Sequence, residues 1–227
     1  MFDHFALHKN VFFVDRGAGR SFAPVADVIV ELGCDVVCFQ EVDVGSIRNG
    51  GRNLLDEIAD AAGFPYRHYA RQRGLHCNDG IALISRLPLS RITTTVLVHA
   101  FEQRGMITAD VEIEGREVTV GVTHLAAFPF NGRLRRQQCE QIARVLGSRE
   151  RVVLGADFNC DPESNDVKPL RHHLGLRPLV EAPSFPAYGP RYRFDNVFVS
   201  KGVSAVDARV VGAQHSDHLA VMARVNF

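Results

Sequence analysis

Arg151-Val152-Val153-Leu154-Gly155-Ala156-Asp157-Phe158-Asn159-Cys160-Asp161-Pro162 is the segment from which the architecture of this chain can be worked out. Three apolar residues, two of them β-branched, run into Gly155. A carboxylate and an amide then follow two positions apart, and Pro162 stops any continuation. The pattern predicts a short buried strand whose C-terminal end presents Asp157 and Asn159 on one side. A buried strand has no structural reason to end in two polar groups. Each of them, left without a partner, costs about 1–3 kcal/mol. Their partners are to be sought at the ends of other strands.

Several other apolar runs end the same way. Asp35 to Phe39 leads into Gln40 and Glu41, Gly80 to Ile84 into Ser85, and residues 116–123 into His124. Near the C-terminus, Asp195-Asn196 opens a β-rich segment and Asp217-His218 precedes another, at 219–225. Residues 5–14, 66–70, 92–98, 106–113 and 205–211 are further β-rich candidates, and Glu114-Gly115 is expected to turn a hairpin. Helices are expected from Pro24 to Gly33, after Gly50-Gly51 with the stripe Leu54, Leu55, Ile58, Ala59 and Ala62, and over 133–146. Residues 161–191, rich in proline, read as loop. Strands outnumber helices about three to one, too many for a parallel, doubly wound sheet. The order fits two β-sheets packed face to face with helices outside.

The 227 residues suit one domain spanning 1–227. Lys+Arg and Asp+Glu balance at 26 each, so no overall field is available to hold nucleic acid or an anionic membrane, and an anionic partner must be met locally. Five cysteines without a C-x-x-C pair suit a reducing compartment. The start lacks a signal-peptide pattern and no apolar run approaches a membrane span, so a cytoplasmic monomer without a stable protein partner is expected.

The polar strand ends, taken together, resemble the endonuclease/exonuclease/phosphatase superfamily, the deoxyribonuclease I-like fold. The resemblance rests on six stretches in the family's order, spread over nearly the whole chain: 35–42, 80–86, 122–125, 155–159, 193–200 and 216–221. It implies a four-layer α/β/β/α sandwich, α/β (α+β) in class, with two packed, mostly antiparallel sheets. It also implies Mg²⁺- or Mn²⁺-dependent hydrolysis of phosphoesters. Under that resemblance Glu41 is the metal carboxylate and Asp217 lies near the metal and its waters. His218 is the general base, oriented by Asp195. Asp157 orients the water or the metal shell, and Asn159 and His124 bind and stabilise the phosphoryl group. Asn10 is either the first-strand metal ligand or an edge asparagine; Phe12 stands where some nuclease members carry an Asp. Asn78 or Asp79 is a candidate phosphate contact. Arg133, Arg135 and Arg136 read as a solvated helix face more readily than as phosphate ligands, and Arg48, Arg52, Arg71 and Arg73 as rim residues.

The chemistry agrees with the residue types. Attack on a phosphoester brings a nucleophile to an anion, and a hard cation held by carboxylates neutralises it. The substrate stays open between nucleic acid, a phospholipid head group and a small phosphodiester. Zero net charge and the absence of Trp or of a basic stripe interleaved with aromatics weigh against extended nucleic acid. A non-catalytic binding module that retains the fold is the alternative from another class.

Overall fold

The computed structural model describes residues 5–9, 23–72, 79–147, 149–212 and 216–227. Two six-stranded sheets carry the fold. The first is ordered β11-β12-β1-β2-β4-β3, built from β1 (Phe5–Lys9), β2 (Val36–Asp43), β3 (Tyr66–Arg71), β4 (Asp79–Ser85), β11 (Ser204–Val211) and β12 (Ala220–Asn226). The second is ordered β5-β6-β7-β8-β10-β9, built from β5 (Ser90–Leu97), β6 (Arg104–Ile113), β7 (Arg116–His124), β8 (Val152–Asp157), β9 (Arg177–Pro178) and β10 (Asp195–Val199). Pairing is antiparallel except at β1–β2 and β7–β8.

The period of two along each strand sorts the core into layers. In β2 and β4, Val36, Cys38, Ile81 and Leu83 face the opposite sheet and join Ile107, Val120, Val122 and Val153 there. The alternate residues Val37, Phe39, Ala82 and Ile84 face outward. They pack under α1 (Ala23–Leu32) and α2 (Leu54–Ala62), which contribute Val25, Ile29, Leu54 and Ile58. On the other outer face, α3 (Gly132–Leu146) and α4 (Lys168–Leu174) cover Leu154, Ala156 and Phe198 with Cys139, Ile142, Leu146 and Leu170. The result is the α/β/β/α sandwich, whose central strands β2, β4, β7, β8 and β10 are buried on both faces while β3, β5 and β11 stay partly or largely exposed. No helix among the described residues is long and apolar enough to cross a membrane.

The apolar stripe expected for α2 is buried in full, and Asn53 caps that helix by accepting a hydrogen bond from the Asp56 amide. The segment 161–191 departs from its reading as loop, because α4 and β9 lie in it. Pro169 occupies the first turn of α4, where a proline ring costs nothing because the amide it lacks has no helical partner. A proline that reads as a breaker here marks a helix start.

Candidate active site

Strand register places three of the polar ends in a row. In the parallel β7–β8 ladder His124 pairs with Asp157, and in the antiparallel β8–β10 ladder Asp157 pairs with Asp195. Directly opposed residues point to the same side of a sheet, so one strand-end row presents an imidazole and two carboxylates. All three are buried. The other sheet supplies Glu41 and His218. Glu41 sits at φ 56, where the β2–β4 register shifts between Phe39 and Val42. A bulge of this kind turns one side chain out of the pleat, and the unusual backbone of a non-glycine residue costs about 1–3 kcal/mol. Here the redirected carboxylate reaches His124, with Oε1 3.7 Å from Nδ1.

His218, at the mouth of β12, directs Nδ1 at Asp195 Oδ2, 2.7 Å away. The same oxygen accepts from Ser184 Oγ at 2.6 Å, and the Asp195 amide donates back to Ser184 Oγ. The Phe185 ring lies 4.4 Å from the imidazole, centroid to centroid, so the ring is held by packing as well as by its hydrogen bond. Ligand atoms of Asp157, Asp195 and His218 lie within 4.8 Å of one another. Asp195 Oδ1 is buried with no hydrogen-bond partner among the described residues. Two buried carboxylates opposed across a ladder repel one another unless a positive charge offsets them. With Glu41 beyond His124, this oxygen-rich set fits a hard divalent cation.

Around His124 the balance is reversed, because donors are in excess. Arg104 Nη1 lies 2.9 Å from Nδ1, and Asn159 Nδ2 lies 3.0 Å from Nε2 and 3.0 Å from the Leu125 carbonyl oxygen. A neutral imidazole accepts at one nitrogen only. Turning the Asn159 amide over would instead set its oxygen against the Leu125 carbonyl. The Glu41 and Asp157 carboxylates stand farther off, 3.7 Å from Nδ1 and 3.6 Å from Nε2. Arg104 is itself buried, which lowers its pKa, while Glu102, Glu41 and Asp79 act to hold its charge. It forms an ion pair with Glu102 at 2.6 Å.

Of the residues singled out in the sequence, Glu41, His124, Asp157, Asn159, Asp195 and His218 converge on this edge. Asn159 arrives there by a different route from strand alternation. β8 stops at Asp157, and Asn159 turns back at φ 49 with its amide donating to Asp157 Oδ1 at 2.6 Å. Asp217 is exposed, with its Oδ1 accepting from Ser216 Oγ. Asn10 and Asn78 lie outside the described residues. Arg135 is not part of a solvated helix face: it is 3% exposed and donates to the carbonyls of Ala126 and Phe128, because the chain before α3 folds back over it. Arg52 turns to Glu57 of α2. Arg104 and Ser184 escaped the sequence reading. Arg104 opens a strand rather than ending one, and Ser184 lies in a proline-rich stretch with no pattern around it.

Known structures share the whole arrangement of layers. An endonuclease/exonuclease/phosphatase family protein from Leptotrichia buccalis is 17% identical at a TM-score of 0.80, over 99% of each chain. The human Nocturnin catalytic domain, with a bound sulfate anion, is 19% identical at 0.78, over 99% of this chain and 94% of that one. Beta toxin from Staphylococcus aureus, with bound magnesium ions, is 16% identical at 0.73, over 99% of each. No curated protein sequence matches the chain significantly. Residues 10–218 match the Endonuclease/Exonuclease/phosphatase family, a span that contains every converging side chain, and the chain belongs to that family.

Proposed function

We propose that the protein is a Mg²⁺- or Mn²⁺-dependent phosphoester hydrolase, a phosphodiesterase or phosphatase that works by in-line attack of water without a covalent intermediate. The observation that carries the reading is the pairing of two opposite environments at one strand edge. Carboxylates cluster around Asp157 and Asp195, and donors crowd His124. A phosphoester bridging a cation and a donor cluster needs both. Family membership supports phosphoester hydrolysis in general.

Asp195 Oδ2 accepts the Nδ1 proton of His218, which makes Nε2 the basic nitrogen of that ring, the one to take a proton from water. Ser184 keeps the carboxylate from rotating. Asp157 accepts from the second side of the same water. Asn159 Nδ2, His124 and Arg104 bind phosphoryl oxygens and stabilise the charge that grows on them. Glu41, with Asn10 and the exposed Asp217, is assigned to the cation, and Asp157 to the metal shell beside it. A divalent cation there would neutralise the phosphate and stabilise the departing oxygen. The bound magnesium of the Staphylococcus aureus toxin, in the same fold, supports that assignment.

The test is release of phosphate or alcohol from plasmid DNA, an RNA oligonucleotide, sphingomyelin, phosphatidylinositol phosphates and bis-p-nitrophenyl phosphate, with Mg²⁺, with Mn²⁺ and with chelator. Turnover of at least one substrate that chelator abolishes, and that His218→Ala lowers by at least about 10²-fold in kcat, is expected. A protein that binds neither cation at millimolar concentration by calorimetry and turns over nothing would be the non-catalytic module instead.

A further inference from the structure

Beside Arg104 lies a cleft of about 280 Å³ whose walls include Phe101, Phe128, Phe130 and Leu134 and whose polar lining includes Glu102 and Arg104. Three phenylalanines on one rim are mostly in solvent: Phe101 is 90% exposed, Phe130 81% and Phe128 58%. Single exposed apolar residues need no explanation, but a rim of large rings does. The Phe128 and Phe130 rings stack on one another, parallel within 2° and with centroids 5.4 Å apart. Phe128 adopts φ 70, a backbone conformation that a bulky side chain rarely takes.

The cleft is built, not incidental. Buried Arg135 holds the 126–129 segment by the carbonyls of Ala126 (3.0 Å) and Phe128 (2.7 Å), and is itself fixed by Asp166 at 2.8 Å. Gln138, fully buried, ties the two walls together. Its Oε1 accepts from the Ala126 amide and its Nε2 donates to the Val98 carbonyl, both at 2.9 Å. Gln141 accepts from the Val98 amide as well. Both aromatic walls therefore hang from α3 and keep their spacing without a ligand.

We propose that this cleft holds the base of a nucleotide whose phosphate lies at His124 and Arg104, so that the substrates are nucleotide-sized phosphoesters. The inference rests on the phosphoesterase reading for the phosphate and adds the group attached to it. Flat parallel rings favour a planar aromatic occupant. The polar lining offers guanidinium donors beside the Glu102 carboxylate, a donor and acceptor pair that suits the edge of a base. An acyl chain would desolvate that ion pair with nothing in return. Arg104 links the two halves, since the guanidinium that lines the cleft also touches His124. The balanced charge of the chain, which cannot grip a long polyanion, suits a ligand of nucleotide size.

Calorimetry at saturating Mg²⁺ with adenosine 5′-monophosphate, ribose 5-phosphate and phosphocholine tests the proposal without requiring turnover. The nucleotide should bind at least about 10-fold more tightly than either base-free phosphate. Phe130→Ala, at a position too exposed to threaten folding, should weaken it by roughly 5- to 100-fold and bring the nucleotide-to-ribose-phosphate ratio near one. Equal affinity for the three ligands overturns the proposal, as does a ratio that Phe130→Ala leaves unchanged. Preferential binding to phosphatidylcholine vesicles, abolished by the same variant, overturns it in favour of a lipid. Absence of metal-dependent hydrolysis of bis-p-nitrophenyl phosphate would sink the hydrolase reading alone, so the two failures are distinguishable.

Discussion

Asp195 stands directly opposite Asp157 in the β8–β10 ladder, and both side chains are almost wholly out of solvent. Like charges in that relationship oppose folding, and a cation bound beside them removes the penalty. The metal-free protein is thus expected to be strained at this edge. Adding Mg²⁺ or Mn²⁺ to about 100 times its Kd should stabilise the fold by about 2.7 kcal/mol, raising Tm by roughly 5–10 °C in a chain of this length. Asp157→Asn should do the reverse of an ordinary core substitution. In chelator its Tm should equal or exceed that of the wild type, while activity is lost. A variant that melts well below the wild type in chelator would mean the two carboxylates are not in conflict.

Ser184 touches no candidate substrate atom, yet its hydroxyl donates to the oxygen of Asp195 that also receives His218 Nδ1. Removing it frees the carboxylate to rotate and weakens its hold on the ring tautomer. Ser184→Ala should lower kcat by about 10-fold, leave KM nearly unchanged and move the acid limb of the pH–rate profile. Ser184→Thr, which keeps the hydroxyl, should recover most of the rate. A purely structural serine would lower Tm without moving the pH profile.

The sequence reading and the structure meet most closely where a strand ends. The apolar runs before Asp157 and before Glu41 are continuous and read directly as strands buried on both faces, and the polar residue after each marks the edge where strands finish. Partners that come from strand beginnings or loops leave no such trace. Arg104 begins β6, and nothing in Glu102-Gln103-Arg104 separates a buried guanidinium from a surface one. Phe101, Phe128 and Phe130 come from two loops nearly thirty positions apart, so their shared cleft depends on α3 holding both loops. Arg135 shows the same limit. Three arginines in four positions look alike in sequence, and only the fold-back of the 126–129 segment buries one of them.

The thiols give the protein a defined alkaline weakness. Burial, with the nearby Asp35 charge adding to it, pushes Cys34 up to about 12, whereas in the unfolded chain a thiol titrates near 8.5. Between these values the unfolded chain has released a proton that the folded chain keeps. Stability from this group is therefore complete below about pH 8.5 and is lost as pH rises toward the folded value, by up to about 1.4 kcal/mol per pH unit. Cys38 and Cys139 are pushed in the same direction by burial. Urea unfolding at pH 8, 9, 10 and 11 should show the decline, and Cys34→Ala should make it shallower. A Cys34→Ala slope identical to the wild type between pH 9 and 11 would show that the thiol does not contribute.

Arg104 is the prediction with most bearing on the chemistry. An arginine N–H only donates, so His124 Nδ1 beside it is held as an acceptor. Arg104→Met keeps the apolar bulk and removes that donor. The variant should still fold, because the Glu102 carboxylate it leaves without its ion-pair partner is half exposed and can be hydrated. Its kcat should fall by about 10²- to 10³-fold, the loss typical of one donor to a developing oxyanion. Arg104→Lys restores the charge, but a single ammonium does not reproduce the planar fork that meets His124 and Glu102 together, so it should recover only part of the rate. A fully active Arg104→Met enzyme would remove Arg104 from the reaction and leave the anion to Asn159 and His124 alone.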